Sequence, residues 1–275
     1  MPCPGKTLRQ SAPPRKGPRD PSGPFGRYEI NTFLLYPRNG SPALGPDALP
    51  LPKAMPLPAT RPTSSYPAYA RSERIADGAI HAIGVTLALA GAVLLTTFAL
   101  LHADSRRALA VGIYGIALIG TFVASACYHM TPWEHARPTL RRIDHAAIFL
   151  KIAGTFTPLT VLVGGAFAWT VLGIVWLVAL GGAVSKLLWW KEPGRLGLLL
   201  YLGLGWLGVL LLWPLAARLP PPALALTALG GALYTVGVVF FSWESLKFSN
   251  AIWHAFVLVA SACFFAAIAM GTFLA

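Results

Sequence analysis

Charged residues are scarce in this chain, and acidic residues are the scarcest of them. Only 12% of the 275 residues are charged, whereas 55% are hydrophobic. Lys and Arg number 22 and Asp and Glu only 10, which leaves a formal net charge of +12. Soluble globular domains carry about 25% charged residues. The composition therefore excludes an ordinary soluble domain and favours a protein that crosses a membrane several times.

Other familiar patterns are missing as well. The cysteines are Cys3, Cys127 and Cys263, which are too scattered for a disulfide framework or a C-x-x-C metal site. The apolar segments are continuous and lack the alternation of β-barrel strands. Basic residues are not interleaved with aromatic ones, so nucleic acid is not expected as a partner. These absences leave membrane-spanning helices as the expected architecture.

The N-terminal part of the chain differs from the rest in composition. Residues 1–70 are rich in Pro, Gly, Ser and Arg, as in the segment PPRKGPRDPSGP. Such a segment buries too little apolar surface to offset the entropy of ordering it. We therefore predict a disordered Pro/Arg-rich tail over residues 1–70, followed by a membrane domain over residues 71–275.

The membrane domain contains seven apolar segments, each long enough to cross a bilayer, which takes roughly 20 residues per helix. Pro and Gly mark the connections between them, and Gly164 and Gly165 predict a tight turn between the third and fourth segments. The sequence thus predicts an all-α polytopic membrane protein, a bundle of seven transmembrane helices. The predicted spans are residues 78–101, 108–129, 144–163, 167–188, 196–215, 223–241 and 251–274.

The Lys and Arg residues of the short loops predict how the bundle is oriented. Cytoplasmic loops carry an excess of these residues. With the N-terminus in the cytoplasm and the C-terminus outside, the outer side has only Arg106, Arg107 and Arg218. The cytoplasmic side then has Arg137, Arg141, Arg142, Lys186, Lys191, Arg195 and Lys247.

Five polar residues stand at span ends that this topology places at one depth near the cytoplasmic face. Ser125 and His129 are four residues apart, as are Asn250 and His254, so each pair shares one helix face. Asp144 opens the third span from the same side. Ionisable residues inside a membrane are costly and usually functional. Nitrogen and oxygen ligands on facing helices can hold a catalytic zinc ion, which takes three protein ligands and a water.

We predict His129, His254 and Asn250 as metal ligands and Ser125 and Asp144 as catalytic residues. Asp144 would orient the water or take its proton, and Ser125 would donate a hydrogen bond to an oxyanion.

Two further polar residues are open to more than one interpretation. His81 opens the first span, and taken alone it is interpreted as an interfacial or hydrogen-bonded residue. Lys151 lies two turns beyond Asp144, on the same helix face. It either snorkels or pairs with a carboxylate, or it is a fixed cation near a substrate headgroup or near Asp144.

Four ordered segments resemble the hemolysin III family, which belongs with the progestin and adiponectin receptors and, more widely, with the alkaline ceramidases. They are SACYH at 125–129, DHAAIFLKIAGTFTPL at 144–159, GGALYTVG at 230–237 and NAIWHAFVLVASA at 250–262. The resemblance covers the chain from about Glu73 onward. It implies a zinc ion near the cytoplasmic side, with a Ser and an Asp close by, and a bacterial plasma membrane as the location.

The chain departs from the family pattern at two positions in the seventh span. Asn250 stands where the resemblance implies the first His of an H-x-x-x-H pair, and Phe264 stands where members often carry a further His. An Asn carbonyl is a poor substitute for imidazole on zinc. Asn250 ligates weakly, a water fills the gap, or the site is metal-free; we favour metal binding that is retained but weakened.

The resulting functional hypothesis is metal-assisted hydrolysis of an amide or ester in a lipid-like substrate, with membrane lipids as the surrounding partners. The alternative is a non-enzymatic, receptor-like sensor of lipid or membrane state. A lytic pore is the third hypothesis. It is disfavoured because a pore is lined by polar residues along whole spans, and here polarity gathers at one end.

Overall fold

The protein, examined as a computed structural model, is described over residues 69–189, 195–243 and 245–274. Within these ranges the chain forms eight helices and no strands, which confirms the all-α prediction. The helices are α1 (Arg71–His102), α2 (Ser105–Met130), α3 (Arg137–Val163), α4 (Gly165–Leu188), α5 (Arg195–Trp206), α6 (Val209–Ala216), α7 (Pro221–Ser242) and α8 (Ser249–Leu274).

Seven candidate membrane spans lie among the described residues, because α5 and α6 together form one span over Gly197–Ala216. Large apolar side chains cover the outside of the bundle; Leu177 is 75% exposed and Trp213 is 89% exposed. In water such a surface would be unstable, whereas in a bilayer it faces lipid. The predicted seven-span bundle is confirmed.

The fifth span is interrupted, where the sequence predicted one continuous helix over residues 196–215. The break falls at Leu207 and Gly208, and the Gly208 backbone N–H donates to the carbonyl of Gly205 at 3.0 Å, a one-turn bond of the 3₁₀ type. Glycines weaken a helix interior, and Pro214 in α6 has no N–H to donate. Hydropathy alone does not register this effect.

The helix ends have local causes that can be read from single residues. The Asp104 carboxylate caps α2 by accepting the backbone N–H groups of Arg106 and Arg107 at 3.0 and 3.1 Å. Gly164 and Gly165 have φ of 67° and 77°, a left-handed conformation that suits glycine and lets α3 turn directly into α4.

The packing of the helices brings the first, second, third and last spans together. α2 packs against α1 and α3, while α8 packs against α7 and α1 and also touches α3. One consequence is that residues at the beginning of α1, α3 and α8 and at the end of α2 share one end of the bundle. The polar site lies there.

Two sequence predictions concern segments that lie wholly or partly outside the described residues. The predicted tail over residues 1–70 lies outside them except for Tyr69 and Ala70. Lys191, one of the basic loop residues used for orientation, also lies outside them. Both remain predictions.

Candidate metal centre

Three histidines on three helices form a compact cluster at this end of the bundle. They are His81 from α1, His129 from α2 and His254 from α8. The ring centroids of His81 and His254 are 4.3 Å apart, and those of His129 and His254 are 4.6 Å apart. One ligand nitrogen from each ring lies within 4.8 Å of the others. Among the described residues, this is the group of His, Cys, Asp and Glu side chains that can hold a metal ion.

Asp77, one turn before His81 in α1, holds the cluster together. Its Oδ1 accepts a hydrogen bond from Nδ1 of His254 at 2.7 Å, and its backbone carbonyl accepts one from Nδ1 of His81 at 2.8 Å. A carbonyl or carboxylate oxygen only accepts, so both Nδ1 atoms carry the proton. The Nε2 atoms of His81 and His254 are therefore left with a lone pair for a ligand.

Asn250 lies beside the cluster and contacts both Asp77 and His129. Its amide nitrogen donates to Oδ2 of Asp77 at 2.9 Å and to Nδ1 of His129 at 3.2 Å. The amide nitrogen must face the carboxylate, because two oxygens at that distance would repel each other. The metal-ligand role predicted for Asn250 stays a prediction. The three imidazoles already make up the number of protein ligands that a catalytic zinc takes.

The two predicted catalytic residues lie on the inner side of the cluster. The Ser125 hydroxyl contacts Nε2 of His81 at 3.2 Å and Nε2 of His254 at 3.4 Å. Asp144 is buried at 7% exposure, interacts with Ser125 and, electrostatically, with His254, and pairs with His145 at 3.7 Å. A hydroxyl and a carboxyl thus stand next to the nitrogens that have lone pairs to offer.

The sequence-based interpretation missed two members of this site. His81 was interpreted as an interfacial residue, yet it is 3% exposed and belongs to the cluster. Asp77 was not considered. The signal was present, because Asp77 and His81 are four residues apart, the same spacing that singled out the pairs in the second and seventh spans.

A small cavity of about 10 Å³ adjoins the cluster at the end of the bundle, with Asp77, His129 and Glu73 among its lining residues. The Glu73 carboxylate closes its rim by accepting the backbone N–H of Phe248 at 2.8 Å and that of Ala70 at 2.9 Å. A space of this size holds about one water molecule. The contact joins the start of α1 to the turn before α8.

The donor set of the cluster fits a zinc ion. Imidazole nitrogen is a preferred zinc ligand, and three protein ligands leave one position open. A ligating histidine usually donates its other ring N–H to a carboxylate or a backbone carbonyl. His254 donates to the carboxylate of Asp77, and His81 donates to the carbonyl of Asp77. Two of the three rings therefore make the hydrogen bond expected of a ligating histidine.

Comparison of the sequence with known proteins identifies relatives. The family profile described as Haemolysin-III related matches residues 70–265. The chain is 38% identical over 196 residues to the Hemolysin-3 homolog of Bacillus subtilis (strain 168), covering 70% of this chain and 91% of that protein. It is 35% identical over 194 residues to Hemolysin-3 of Bacillus cereus, covering 70% and 89%. It is also 29% identical to the human Monocyte to macrophage differentiation factor over 205 residues, covering 71% and 83%.

Proposed function

Because this chain belongs to the Haemolysin-III related family and three imidazoles meet inside its bundle, we propose that it is a zinc-dependent membrane hydrolase. Its substrate is a lipid-like molecule with an amide or ester bond. The observation that carries the proposal is the cluster of His81, His129 and His254, braced by the Asp77 carboxylate.

In this proposal the three imidazoles hold the ion, and Asp77 fixes the orientation of two of the rings. Zinc in such a site supplies Lewis acidity and a water of lowered pKa. Asn250 assists from outside by donating to the carboxylate of Asp77. Holding the rings from behind matters, because the orientation of ligands tunes metal affinity by about 10–100-fold.

The remaining polar residues handle the proton and the developing charge. Asp144, next to Ser125 and electrostatically coupled to His254, accepts a proton from a water at the site. Ser125 donates its hydroxyl hydrogen to the carbonyl oxygen of the substrate as negative charge develops there. Proton transfer by a positioned side chain typically contributes 10²–10⁴-fold to a rate, roughly what losing Asp144 should remove.

The second candidate function is a sensor of lipid or membrane state, in which the histidine cluster is structural. One observation favours it: the cavity beside the cluster measures about 10 Å³, which is room for about one water. Lipid profiling of a deletion strain separates the two functions, because accumulation of one specific lipid substrate would contradict the sensor.

Zinc content tests the hydrolase proposal most directly. The purified full-length protein and its His81→Ala and His254→Ala variants are analysed for zinc after identical purification. We expect about one zinc per wild-type chain and loss of most of it in either variant, because each removes one of three ligands. His102→Ala is the matched control, since His102 lies at the opposite end of α1 and should leave the zinc content unchanged.

Asn250→Ala completes this experiment. If the three imidazoles suffice, the variant keeps its zinc; a loss as large as that of His254→Ala would make Asn250 a ligand, as the sequence predicts. The metallohydrolase would be ruled out if neither the wild type nor Asn250→His, which adds an imidazole, contained zinc above background. Activity on an ester or amide of dodecanoic acid, compared between wild type and Asp144→Asn, then tests the catalytic roles.

A further inference from the structure

Lys151 is a buried cation near the middle of a membrane-spanning helix. Fourteen residues of α3 precede it and twelve follow it, so it lies about 20 Å from either end at 1.5 Å per residue. It is 7% exposed. The middle of a bilayer is the most costly place for a charge, and a cation there requires a partner.

Two aromatic rings lie close to the ammonium group of Lys151. Its ammonium lies 5.0 Å from the ring centroid of Phe122 on α2 and 5.1 Å from that of Tyr234 on α7. We call these two rings the aromatic cage. Ring faces attract a cation and give nothing comparable to a neutral amine. The cage is held firmly: the ring of Phe122 packs onto Gly84, and Tyr234 stacks on Phe264.

The neighbouring serine does not neutralise this charge. Lys151 donates to Oγ of Ser261 on α8 at 2.6 Å, and Ser261 in turn donates its hydrogen to the carbonyl of Val257. Tyr234 must therefore be the donor in its 2.9 Å bond with Ser261, whose two lone pairs are then both in use. Ser261 is saturated, whereas the ammonium has two N–H groups left. No carboxylate among the described residues pairs with Lys151.

A second donor lies in the same region without a hydrogen-bond partner. The hydroxyl of Tyr114 has none among the described residues, although the side chain is only 1% exposed. Its backbone lies against Gly154, one turn beyond Lys151 on α3: a Cβ at Gly154 would be 3.7 Å from Cα of Tyr114. Buried hydroxyls are nearly always satisfied, so this one indicates an acceptor that the described residues do not supply.

The cluster has a fixed relation to the histidine site. Phe122, Lys151 and Ser261 each stand seven residues, or two helical turns, from His129, Asp144 and His254 respectively. Two turns correspond to about 10 Å along the helix axis. Polar groups on α2, α3 and α8 therefore form two layers, one at the end of the bundle and one about 10 Å deeper.

We propose that the deeper layer, made of Lys151, Tyr114, Tyr234 and Ser261, is a binding site for the carboxylate of an amphiphile. One carboxylate oxygen accepts from the Lys151 ammonium and the other from the Tyr114 hydroxyl. A single cation matches the single charge of a carboxylate, whereas a dianionic phosphate monoester would keep one negative charge unpaired. The surrounding bilayer supplies only ligands with an apolar body.

A lipid ligand can reach this layer from the side. Tyr234 belongs to α7, which packs mainly against α8 and whose apolar span is only 17% buried in the protein. One helix therefore separates the cluster from the surrounding lipid on that side. The site requires neither zinc nor hydrolysis, so its test is independent of the proposed function.

Binding of dodecanoate to the purified full-length protein in an uncharged detergent tests the proposal, with dodecanol as the uncharged probe of equal chain length. Wild type and Lys151→Arg should bind dodecanoate at least about tenfold more tightly than dodecanol, a difference of about one charge-assisted contact. Lys151→Met should lose this preference, and Tyr114→Phe should weaken it. Lys186→Met, which removes a cation at the end of α4, is the matched control and should behave as wild type.

The outcomes are distinct. An unchanged preference in Lys151→Met, or no preference in the wild type, would overturn the site. Displacement of dodecanoate by millimolar chloride would show that the layer holds a halide, which overturns the carboxylate assignment. Lys151→Met removes a buried charge, so we expect it to fold; an unchanged thermal unfolding temperature verifies this, and Lys151→Gln serves as a second variant.

Discussion

Asp77 contacts or braces every histidine of the cluster. Its carboxylate accepts from His254 and Asn250, its backbone carbonyl accepts from His81, and its Oδ2 lies 3.7 Å from Nδ1 of His129. Because Asp77 is 4% exposed, these contacts form in a region of low dielectric, where an oriented carboxylate acts strongly. A single residue, through its carboxylate and its backbone carbonyl, therefore orients the proposed metal ligands.

Replacing this carboxylate by an amide should weaken zinc binding while leaving all three histidine ligands in place. In Asp77→Asn, an amide N–H₂ replaces one oxygen and faces the donor of either His254 or Asn250, so one contact turns repulsive. We expect zinc affinity to fall by about 10–100-fold, as for other outer partners of metal-binding histidines. Competition with a chromogenic chelator measures this change on the purified protein.

Asp104→Asn is the matched control, because Asp104 caps α2 at the far end of the bundle and Asn caps nearly as well. Its affinity should equal that of the wild type. If Asp77→Asn held zinc as tightly as the control, Asp77 would have no part in orienting the ligands.

Residue spacing predicted some members of this site but not all of them. The pairs Ser125 and His129 and Asn250 and His254 stand out, because four residues separate polar side chains in apolar helices. Asp77 lies just before the span predicted to begin at residue 78 and was not considered as a site residue. α1 begins instead at Arg71, where Glu73 accepts N–H groups from Ala70 and from the distant Phe248. That tertiary contact cannot be inferred from local sequence.

At the scale of elements, continuous apolar runs suffice to predict where the chain crosses the membrane, because water is absent from the bilayer core and the backbone must bond within each helix. The interruption of the fifth span was not predicted. Gly203, Gly205 and Gly208 are compatible with an apolar run in composition, but they weaken the helix that the run forms. Hydropathy measures transfer to lipid, whereas the break depends on backbone hydrogen bonding.

The contact between α2 and α3 depends on one small residue. A Cβ at Gly154 would lie 2.6 Å from Cβ of Ala117, closer than real Cβ contacts allow. Helices that pack without a hydrophobic driving force rely on such close approach. Gly154→Ala should destabilise the protein by about 1–3 kcal/mol, the usual cost of overpacking. Thermal unfolding in detergent measures the loss.

Gly173→Ala serves as its control, since a Cβ at this exposed position in α4 meets nothing within 4 Å. This change should leave stability unchanged or raise it by up to about 1 kcal/mol. Equal unfolding temperatures for the two variants would show that α2 and α3 can separate without cost.

At the scale of the whole molecule, the uneven distribution of basic residues predicts a fixed orientation. We expect the N-terminus in the cytoplasm and the C-terminus outside, which puts the histidine cluster on the cytoplasmic side. Bacterial alkaline phosphatase is active only outside the plasma membrane. Fused after residue 274 and expressed in a Gram-negative host, it should therefore be active. Green fluorescent protein at the same position should stay dark.

Fusions in the loop after α4 provide the opposite control. Green fluorescent protein joined after Leu188 should fluoresce, because four spans return the chain to the cytoplasm. Fluorescence at both positions would contradict the seven-span topology. Fluorescence after residue 274 but not after Leu188 would show the opposite orientation.

How the spans gather around the site could not be predicted from the chain alone. Seven helices allow many arrangements, and the spacing of polar residues shows only which face of each helix points inward. The contact of α1 with α8, and of α8 with α3, depends on small residues and side-chain packing between distant segments. The cluster of Lys151, Tyr234 and Ser261 became visible only through these contacts.

The histidines come from opposite ends of the chain: His81 and His129 lie on the first two helices and His254 on the last. During biosynthesis α8 leaves the ribosome later than all the preceding spans. Until that helix packs against α1 and α7, the imidazoles of His81 and His129 lack the third ring, and Asp77 lacks His254 as its donor. A polypeptide that stops before α8 therefore cannot carry the assembled centre, and an ion can contact all three imidazoles only after that helix has been made.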